Sequence, residues 1–270
     1  MSKKNYSVLM AVYFNDSPEN FIVAVKSILN QTIKPDDVVL VCDGPVGEEL
    51  EKAISKFQDT INIVRLTKNV GLGNALNEGL KYCKNELVAR MDSDDISVAD
   101  RCEKQMKFFE ENPNLTILSS AVSEFVDNPE APVGIRKVPE TFKEIISYSK
   151  KRSPFNHPSV MFKKSAVFDA GGYREEYHFF EDYDLWIRML RSGADAMNSG
   201  EVLVNMRVSS EMYKRRGGIK YAKDLLRFHN HLRSSGWISS KTFYTCAVPH
   251  AFICVLPNGA RKIIYKKLRK

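Results

Sequence analysis

The stretch Leu87-Val88-Ala89-Arg90-Met91-Asp92-Ser93-Asp94-Asp95 is a short apolar run that stops abruptly at three carboxylates. The run is continuously hydrophobic rather than alternating, the pattern of a strand buried on both faces of a parallel sheet. Asp92 and Asp94 sit two apart, so on extended backbone they point the same way. Carboxylates this close repel one another unless a cation compensates them. A hard divalent ion with oxygen ligands is the natural compensator, and Mg²⁺-type ions usually arrive carrying phosphates. An Asp-rich turn capping a helix that starts near Ser97 accounts for the same residues without a ligand. On this stretch alone both readings stand.

Moving outward, strands and helices alternate. Residues 6–12 read as a strand, and Ser17-Pro18 opens a helix over 17–31 with an N-cap and a first-position proline. A second apolar run, 37–42, ends in the turn signal Asp43-Gly44-Pro45. A helix over 47–57, a strand over 61–66 and a helix over 70–84 follow, the last from the spacing of Leu72, Ala75, Leu76, Gly79 and Leu80. Alternation of this kind predicts an α/β fold, a mostly parallel Rossmann-like sheet flanked by helices. Ligands of such sheets bind outside the carboxyl ends of the strands. Tyr13, Asp43, Thr67-Lys68-Asn69 and Asp92–Asp95 all lie at those ends, and that convergence favours the metal-phosphate reading of the aspartates.

Beyond residue 96 the pattern is mixed. Helices are expected over 98–112 and 182–192, strands over 115–126, 158–162 and 201–208, and a loop over 129–132. Further helices are expected over 217–236, 241–256 and 261–270. The organisation expected is a catalytic unit over 1–213, with a nucleotide-binding half (1–96) and an acceptor-binding half (97–213), then a basic helical C-terminal extension over 214–270.

At 270 residues and 43% hydrophobic composition the chain has ample core for one large domain with an appendage. Its net charge of +7 hides an asymmetry. Residues 214–270 carry 14 Lys/Arg against the single acid Asp224, whereas residues 1–213 carry 26 basic against 32 acidic. A split of this kind points to a polyanionic surface as partner of the C-terminal part. The five cysteines are odd in number and lack metal-type spacing, and the N-terminal residues lack a signal-peptide pattern, so a cytoplasmic location is expected.

A second acidic cluster, Glu181-Asp182-Tyr183-Asp184-Leu185-Trp186, opens the helix over 182–192. Acids in a first turn complement the helix dipole and need no further reason. Alternatively, Phe179-Phe180 and Trp186 put a carboxylate at the rim of an apolar pocket, where partial desolvation makes it a better general base.

In order along the chain stand a first strand with Tyr13, Asp43 after the second strand, Asn69-Val70-Gly71-Leu72, Asp92-Ser93-Asp94-Asp95 and Glu181-Asp182. Together with His157-Pro158-Ser159-Val160-Met161-Phe162 and Arg215-Arg216-Gly217-Gly218, they resemble family 2 glycosyltransferases of the GT-A fold. More narrowly, the chain is similar to bacterial enzymes that build capsular, exopolysaccharide or O-antigen repeat units. The resemblance implies an inverting, metal-dependent transfer of sugar from a nucleotide sugar, expected to be UDP-linked, to a glycan or polyprenyl-diphosphate-linked acceptor.

It also implies roles. Asp43 would read the uracil or ribose, Tyr13 would line the base pocket beside Asn69, and Asp92 would contact the ribose. Asp94 would bind Mn²⁺ or Mg²⁺ bridging the diphosphate, and Asp182 would take the proton from the acceptor hydroxyl. Arg90 reads either as a diphosphate contact or as an internal counter-charge. Arg207 and the run Lys214-Arg215-Arg216-Gly217-Gly218 read either as a solvated charge run or as a basic loop that the paired glycines let fold over the diphosphate. His157, Glu181 and Trp186 would face the acceptor. One departure is Leu76, where many members carry an arginine that holds the base.

Residues 243–256 are mostly apolar but too few to cross a bilayer, which takes about 20 residues. Basic residues from Arg261 to Lys270 follow, interleaved with Ile263, Ile264, Tyr265 and Leu268. This predicts docking on an anionic membrane, peripheral on its inner face, against the alternative of a helix packed on the core with a solvated tail. No module for nucleic acid is present, so none is expected as partner. Two other functions stay open at this stage. A nucleotidyltransferase also uses a parallel sheet and metal-binding aspartates, but Tyr13-Phe14-Asn15-Asp16 lacks its Gly-rich basic loop. A catalytically inactive membrane-associated scaffold is the other.

Overall fold

A computed structural model describes residues 5–209, 215–257, 259–261 and 264. Lys214 and most of the helix expected over 261–270 lie outside them.

The first half follows the alternation read from the sequence. It runs β1 (Tyr6–Val12), α1 (Pro18–Leu29), β2 (Asp37–Cys42), α2 (Glu48–Ser55), β3 (Asn62–Arg65), α3 (Leu72–Leu80) and β4 (Leu87–Met91). Ser17 caps α1 by accepting the Asn20 N–H at 3.2 Å, with Pro18 at the first helical position. Phe21, Ala24, Val25 and Ile28 then turn inward at helical spacing. In α3, Gly79 lies flat on the sheet, since a Cβ there would meet Leu9 at 2.5 Å and Val41 at 2.6 Å. Leu76 is fully buried in that same core, so the position where the resemblance leads one to expect an arginine serves packing here.

After β4 come β5 (Ile96–Ser97), α4 (Arg101–Glu111), β6 (Leu115–Phe125), β7 (Gly134–Arg136), α5 (Phe142–Tyr148), β8 (Met161–Lys163), α6 (Lys164–Asp169), α7 (Glu181–Arg191) and β9 (Asp195–Arg207). The strands form one sheet in the order β3-β2-β1-β4-β8-β6-β9-β5, with β7 added beside β6. Pairs β1–β2, β1–β4, β2–β3 and β6–β9 are parallel, while β8, β5 and β7 join antiparallel. Neighbouring β1 residues feed opposite faces. Val8 and Met10 join the core under α1, α2 and α4, and Leu9 joins the core under α3 and α7. Register sets Val12 against Cys42 and Met10 against Met91, so Tyr13, Asp43 and Asp92 emerge within two residues of level.

Three local expectations change. The helix expected from near Ser97 begins at Arg101, because Ile96 and Ser97 instead pair with Asn205 and Val204 of β9. His157–Ser159 is a 3₁₀ turn, so the strand expected from 158 starts at Met161. The last strand starts at Asp195 rather than 201, because β6 supplies a parallel partner to the polar segment Asp195–Ser199.

The C-terminal helices are α8 (Gly218–Ser234) and α9 (Val248–Val255), the latter continuing the turns Ser240–Thr242 and Phe243–Ala247. Leu225, Phe228, Leu232, Ala247, Ala251 and Cys254 pack with Tyr177, Phe180, Tyr183 and Ile187 in a third core. The extension therefore shares its core with α7, the helix carrying Asp182. Among the described residues no helix is long and apolar enough to cross a membrane.

Candidate active site

At the end of β2, Asp43 accepts the N–H groups of Val70 at 2.7 Å and Gly71 at 3.1 Å, and the Asn69 side-chain amide donates to the Asp43 carbonyl at 3.2 Å. The loop thus grips the start of α3, where Gly71 holds φ 86°. The contact is close: a Cβ on Gly44 would meet the Asn69 nitrogen at 2.6 Å. The amides take two of the roughly four acceptor positions of the carboxylate.

The loop after β1 contributes a carboxylate that the sequence reading passed over. Asp16 accepts the Tyr13 N–H at 3.2 Å and the Ser93 hydroxyl at 2.8 Å, which draws it into the aspartate cluster beside half-buried Tyr13. Burial, with Asp92 adding repulsion, pushes its carboxyl up to about 6. Burial also raises Asp94 to about 7, with Asp92 and Asp16 adding their negative charge. Asp16 and Asp94, hard oxygen donors whose burial disfavours their charged forms, have the chemistry that suits a divalent cation. Among the described residues no three His, Cys, Asp or Glu side chains form a protein-only metal cage.

Asp95 faces the other way. It is buried and accepts the Arg207 N–H at 2.7 Å, tying β9 to the acidic loop rather than capping a helix. Arg207 also donates from Nε to the Asp94 carbonyl at 3.1 Å and lies over the Phe125 ring at 4.6 Å. Its side chain therefore builds the loop.

Arg90 is 1% exposed and pairs with Asp92, while its carbonyl accepts Arg101 Nη2 at 2.8 Å. Its Nε and Nη1 are buried without partners among the described residues. Of the two readings of Arg90, the internal counter-charge is the geometry found. From this position its charge also acts on Glu181, Asp182, His157 and Tyr173, linking the two acidic motifs.

Glu181 and Asp182 open α7 immediately after Phe179 and Phe180, with Phe179 at φ 69°, a strained conformation for a bulky residue. Burial, then the neighbouring Asp182, raise Glu181 to about 7, and its Oε2 is enclosed without a partner among the described residues. Burial raises Asp182 as well, against the pull of Arg216, Arg90 and Arg136. Arg136, from the short strand β7, is a second residue the sequence reading missed.

Trp186 requires a correction. It is 0% exposed, its ring packed among Phe155, His157, Phe162 and Tyr173, so it does not meet an acceptor. Instead it backs His157, whose Nε2 lies 3.0 Å from the Tyr173 hydroxyl and which burial and Arg90 hold neutral. Trp186→Ala should lower the unfolding free energy by about 3–5 kcal/mol, readable by denaturant titration.

Arg215 and Arg216 are exposed neighbours just before α8, and the Arg216 carbonyl accepts Arg261 Nη1 at 2.9 Å. The structure thus brings together Tyr13, Asp43, Asn69, Asp92 and Asp94 at the strand ends, with Arg90 linking them to Glu181 and Asp182.

The family profile described as Glycosyl transferase family 2 matches residues 7–171. The chain belongs to glycosyl transferase family 2. It is 44% identical over 265 residues, covering 97% of this chain and 96% of the relative, to an Escherichia coli UDP-Gal:alpha-D-GlcNAc-diphosphoundecaprenol beta-1,3-galactosyltransferase. It is also 34% identical, across 98% of this chain and 99% of the relative, to the amylovoran biosynthesis glycosyltransferase AmsE of Erwinia amylovora. Among solved structures, a Pyrobaculum calidifontis mannosyltransferase in complex with GDP-Man and Mn²⁺ superposes with TM-score 0.66 at 18% identity, covering 99% of this chain and 81% of the other. This family 2 chain is a glycosyltransferase with the GT-A fold.

Proposed function

We propose that the chain transfers galactose from UDP-galactose to the sugar of a GlcNAc-diphospho-polyprenol in bacterial surface polysaccharide synthesis, with inversion and with Mn²⁺ or Mg²⁺. The substrates are supported by the relative of 44% identity. The beta linkage in its name supports inversion, since UDP-galactose is an α-glycoside. The chemistry is supported by one observation, the buried Arg90 whose charge reaches both the aspartates after β4 and Asp182 on α7.

On this reading Tyr13, Asp43 and Asn69 hold the base, and Asp92 the ribose. Asp94, with Asp92 and Asp16 close by, would hold the cation, which supplies neutralising charge to the departing diphosphate. The acceptor hydroxyl oxygen bonds to the anomeric carbon as the bond from that carbon to the diphosphate breaks. Asp182 receives the hydroxyl proton, UDP leaves, and Glu181 orients the acceptor while His157 supports it from behind. The purified full chain, given UDP-galactose, Mn²⁺ and a GlcNAc-α-diphosphate lipid, should form a β-galactoside, and EDTA should stop the reaction. Transfer that ignores EDTA would remove the metal, and no transfer from a panel of nucleotide sugars would remove the function.

Residues 214–270 would bring this catalytic unit to the inner face of the membrane. Tyr244, Val248, Phe252 and Val255 fall on one stripe of the helical run at intervals of four, four and three, and all are exposed, Tyr244 by 61% and Phe252 by 67%. An apolar stripe followed by a cationic tail suits an anionic lipid surface. Replacing Tyr244 and Phe252 by Ser should abolish sedimentation with anionic vesicles and leave turnover of a short-chain acceptor unchanged. Equal sedimentation of both proteins would refute the docking.

A further inference from the structure

The turn after α6, Ala170-Gly171-Gly172-Tyr173, is held from two sides by side chains far away in sequence. Gly171 and Gly172 close α6, donating their N–H groups at 2.8 Å to the carbonyls of Phe168 and Val167 with φ of 82° and 65°. From α3, Asn77 accepts the Tyr173 N–H through Oδ1 and donates from Nδ2 to the Tyr173 carbonyl, both at 2.8 Å. This is the double pairing that neighbouring residues exchange in an antiparallel sheet. The approach needs a glycine, since a Cβ on Gly172 would meet Asn77 Oδ1 at 2.6 Å. From α7, Arg188 donates to the Ala170 carbonyl and, at 2.6 Å, to the Gly172 carbonyl, while its Nε donates to Asp184 at 2.8 Å.

These two helices carry opposite ends of the site. α3 starts at the loop that Asp43 grips through the Val70 and Gly71 N–H groups. One turn on, Asn74 Nδ2 donates to the Val70 carbonyl at 3.0 Å and to the Glu175 carboxylate at 2.9 Å, a second tie across the same gap. Between them, α3 lies directly against the acidic motif. A Cβ on Gly73 would stand 3.1 Å from the Tyr173 Cβ and 3.6 Å from the Glu181 Cβ. α7 carries Asp182 six residues before Arg188, and the Tyr173 hydroxyl meets His157 Nε2 at 3.0 Å. An amide bonded twice to one residue and a guanidinium forked across two carbonyls each permit one geometry.

We propose that Asn77 and Arg188 are positioning residues for the transfer: through the turn over 170–173 they fix the spacing between the donor loop at the start of α3 and Asp182 on α7. This rests on the reading above of Asp182 as the base. Neither residue needs to touch a substrate. They set the distance across which the acceptor hydroxyl must meet both the anomeric carbon and the carboxylate, where a displacement of about 1 Å costs on the order of 100-fold in rate.

For Asn77→Ala, kcat for galactosyl transfer should fall about 10- to 100-fold, while the KM for UDP-galactose changes less than about twofold. Arg188→Lys keeps the charge beside Asp184 but loses the fork, and should fall in the same sense. Gln31→Ala is the control for stability alone. Its amide also bonds backbone, donating to the Val98 carbonyl at 2.8 Å and accepting the Cys102 N–H at 3.0 Å, but it ties α1 to α4. It should unfold at lower denaturant and keep kcat within about twofold. Equal losses of kcat in Asn77→Ala and Gln31→Ala, or a raised KM for UDP-galactose alone, would overturn the proposal. Should Asn77→Ala not fold, Gly73→Ala decides, because it keeps these hydrogen bonds and presses a methyl group on Tyr173. Its kcat should fall, and an unchanged kcat would overturn the proposal. Hydrogen exchange separates this idea from the proposed function. UDP with Mn²⁺ should slow exchange over residues 171–184 in wild type and leave it unaltered in Asn77→Ala. That difference without any sugar transfer would keep the positioning role and reject the reaction. No slowing in wild type, or equal slowing in both proteins, would reject the positioning role.

Discussion

Asp182→Asn should lower kcat by about 10²- to 10⁴-fold, the usual contribution of a general base, while nucleotide-sugar binding changes less than about twofold. Asparagine keeps the shape and leaves Arg90, Arg136 and Arg216 in place, but it cannot accept the acceptor proton. The pH profile adds a second reading. Burial raises the Asp182 carboxyl above its ordinary value. A base must be unprotonated to act, so wild-type kcat/KM should fall as pH drops through that raised value, at a pH above the ordinary carboxylate range. The residual rate of the asparagine variant should lack this acid limb. Wild-type turnover in Asp182→Asn would end its assignment as base, and an unchanged acid limb would assign that ionisation to another group, with Glu181 at about 7 the first candidate.

The parallel half of the fold, from β1 to β4, was legible because its signals are local. Continuous apolar runs in β1, β2 and β4, helical spacing in α1 and α3, and turn residues at each strand end all agree, and register then sets Tyr13, Asp43 and Asp92 nearly level. Asp16 was not legible, because Asn15-Asp16-Ser17-Pro18 reads as a helix entry. Its place in the acidic cluster exists only through Ser93, 77 residues away. Arg136 was hidden for a similar reason: three residues of edge strand carry no periodicity, and the partners that fix it lie across the fold.

Trp186 teaches the opposite lesson. Its neighbours Leu185, Ile187, Met189 and Leu190 are all buried, because α7 is enclosed between the sheet and α8. Trp186 lies on the apolar face of this amphipathic helix, the face that turns into the core. That pattern outweighs the nearness of Trp186 to the acidic motif.

Asp94→Asn should weaken Mn²⁺-dependent nucleotide binding yet stabilise the metal-free protein at alkaline pH. In the folded chain burial, with the charges of Asp92 and Asp16, raises the Asp94 carboxyl from 3.8 to about 7. A group raised in the folded state supports stability fully below its unfolded value and loses that support as pH rises through the folded one. EDTA-treated wild type should therefore lose stability from about pH 4 to pH 8, and the asparagine variant should lose less. With solvent screening allowed for, the variant should be on the order of 1–2 kcal/mol more stable at pH 8 and equal at pH 4. Mn²⁺ with UDP reverses the ranking, because a ligand that binds only the folded state adds RT ln(1 + [L]/Kd). Wild type should then gain several degrees in Tm, and the variant little. Scanning calorimetry at both pH values, with and without Mn²⁺ and UDP, reads all of these together. An equal Mn²⁺-dependent gain in both proteins would exclude Asp94 as the ligand, and the carboxylates left to hold the ion would be Asp92 and Asp16.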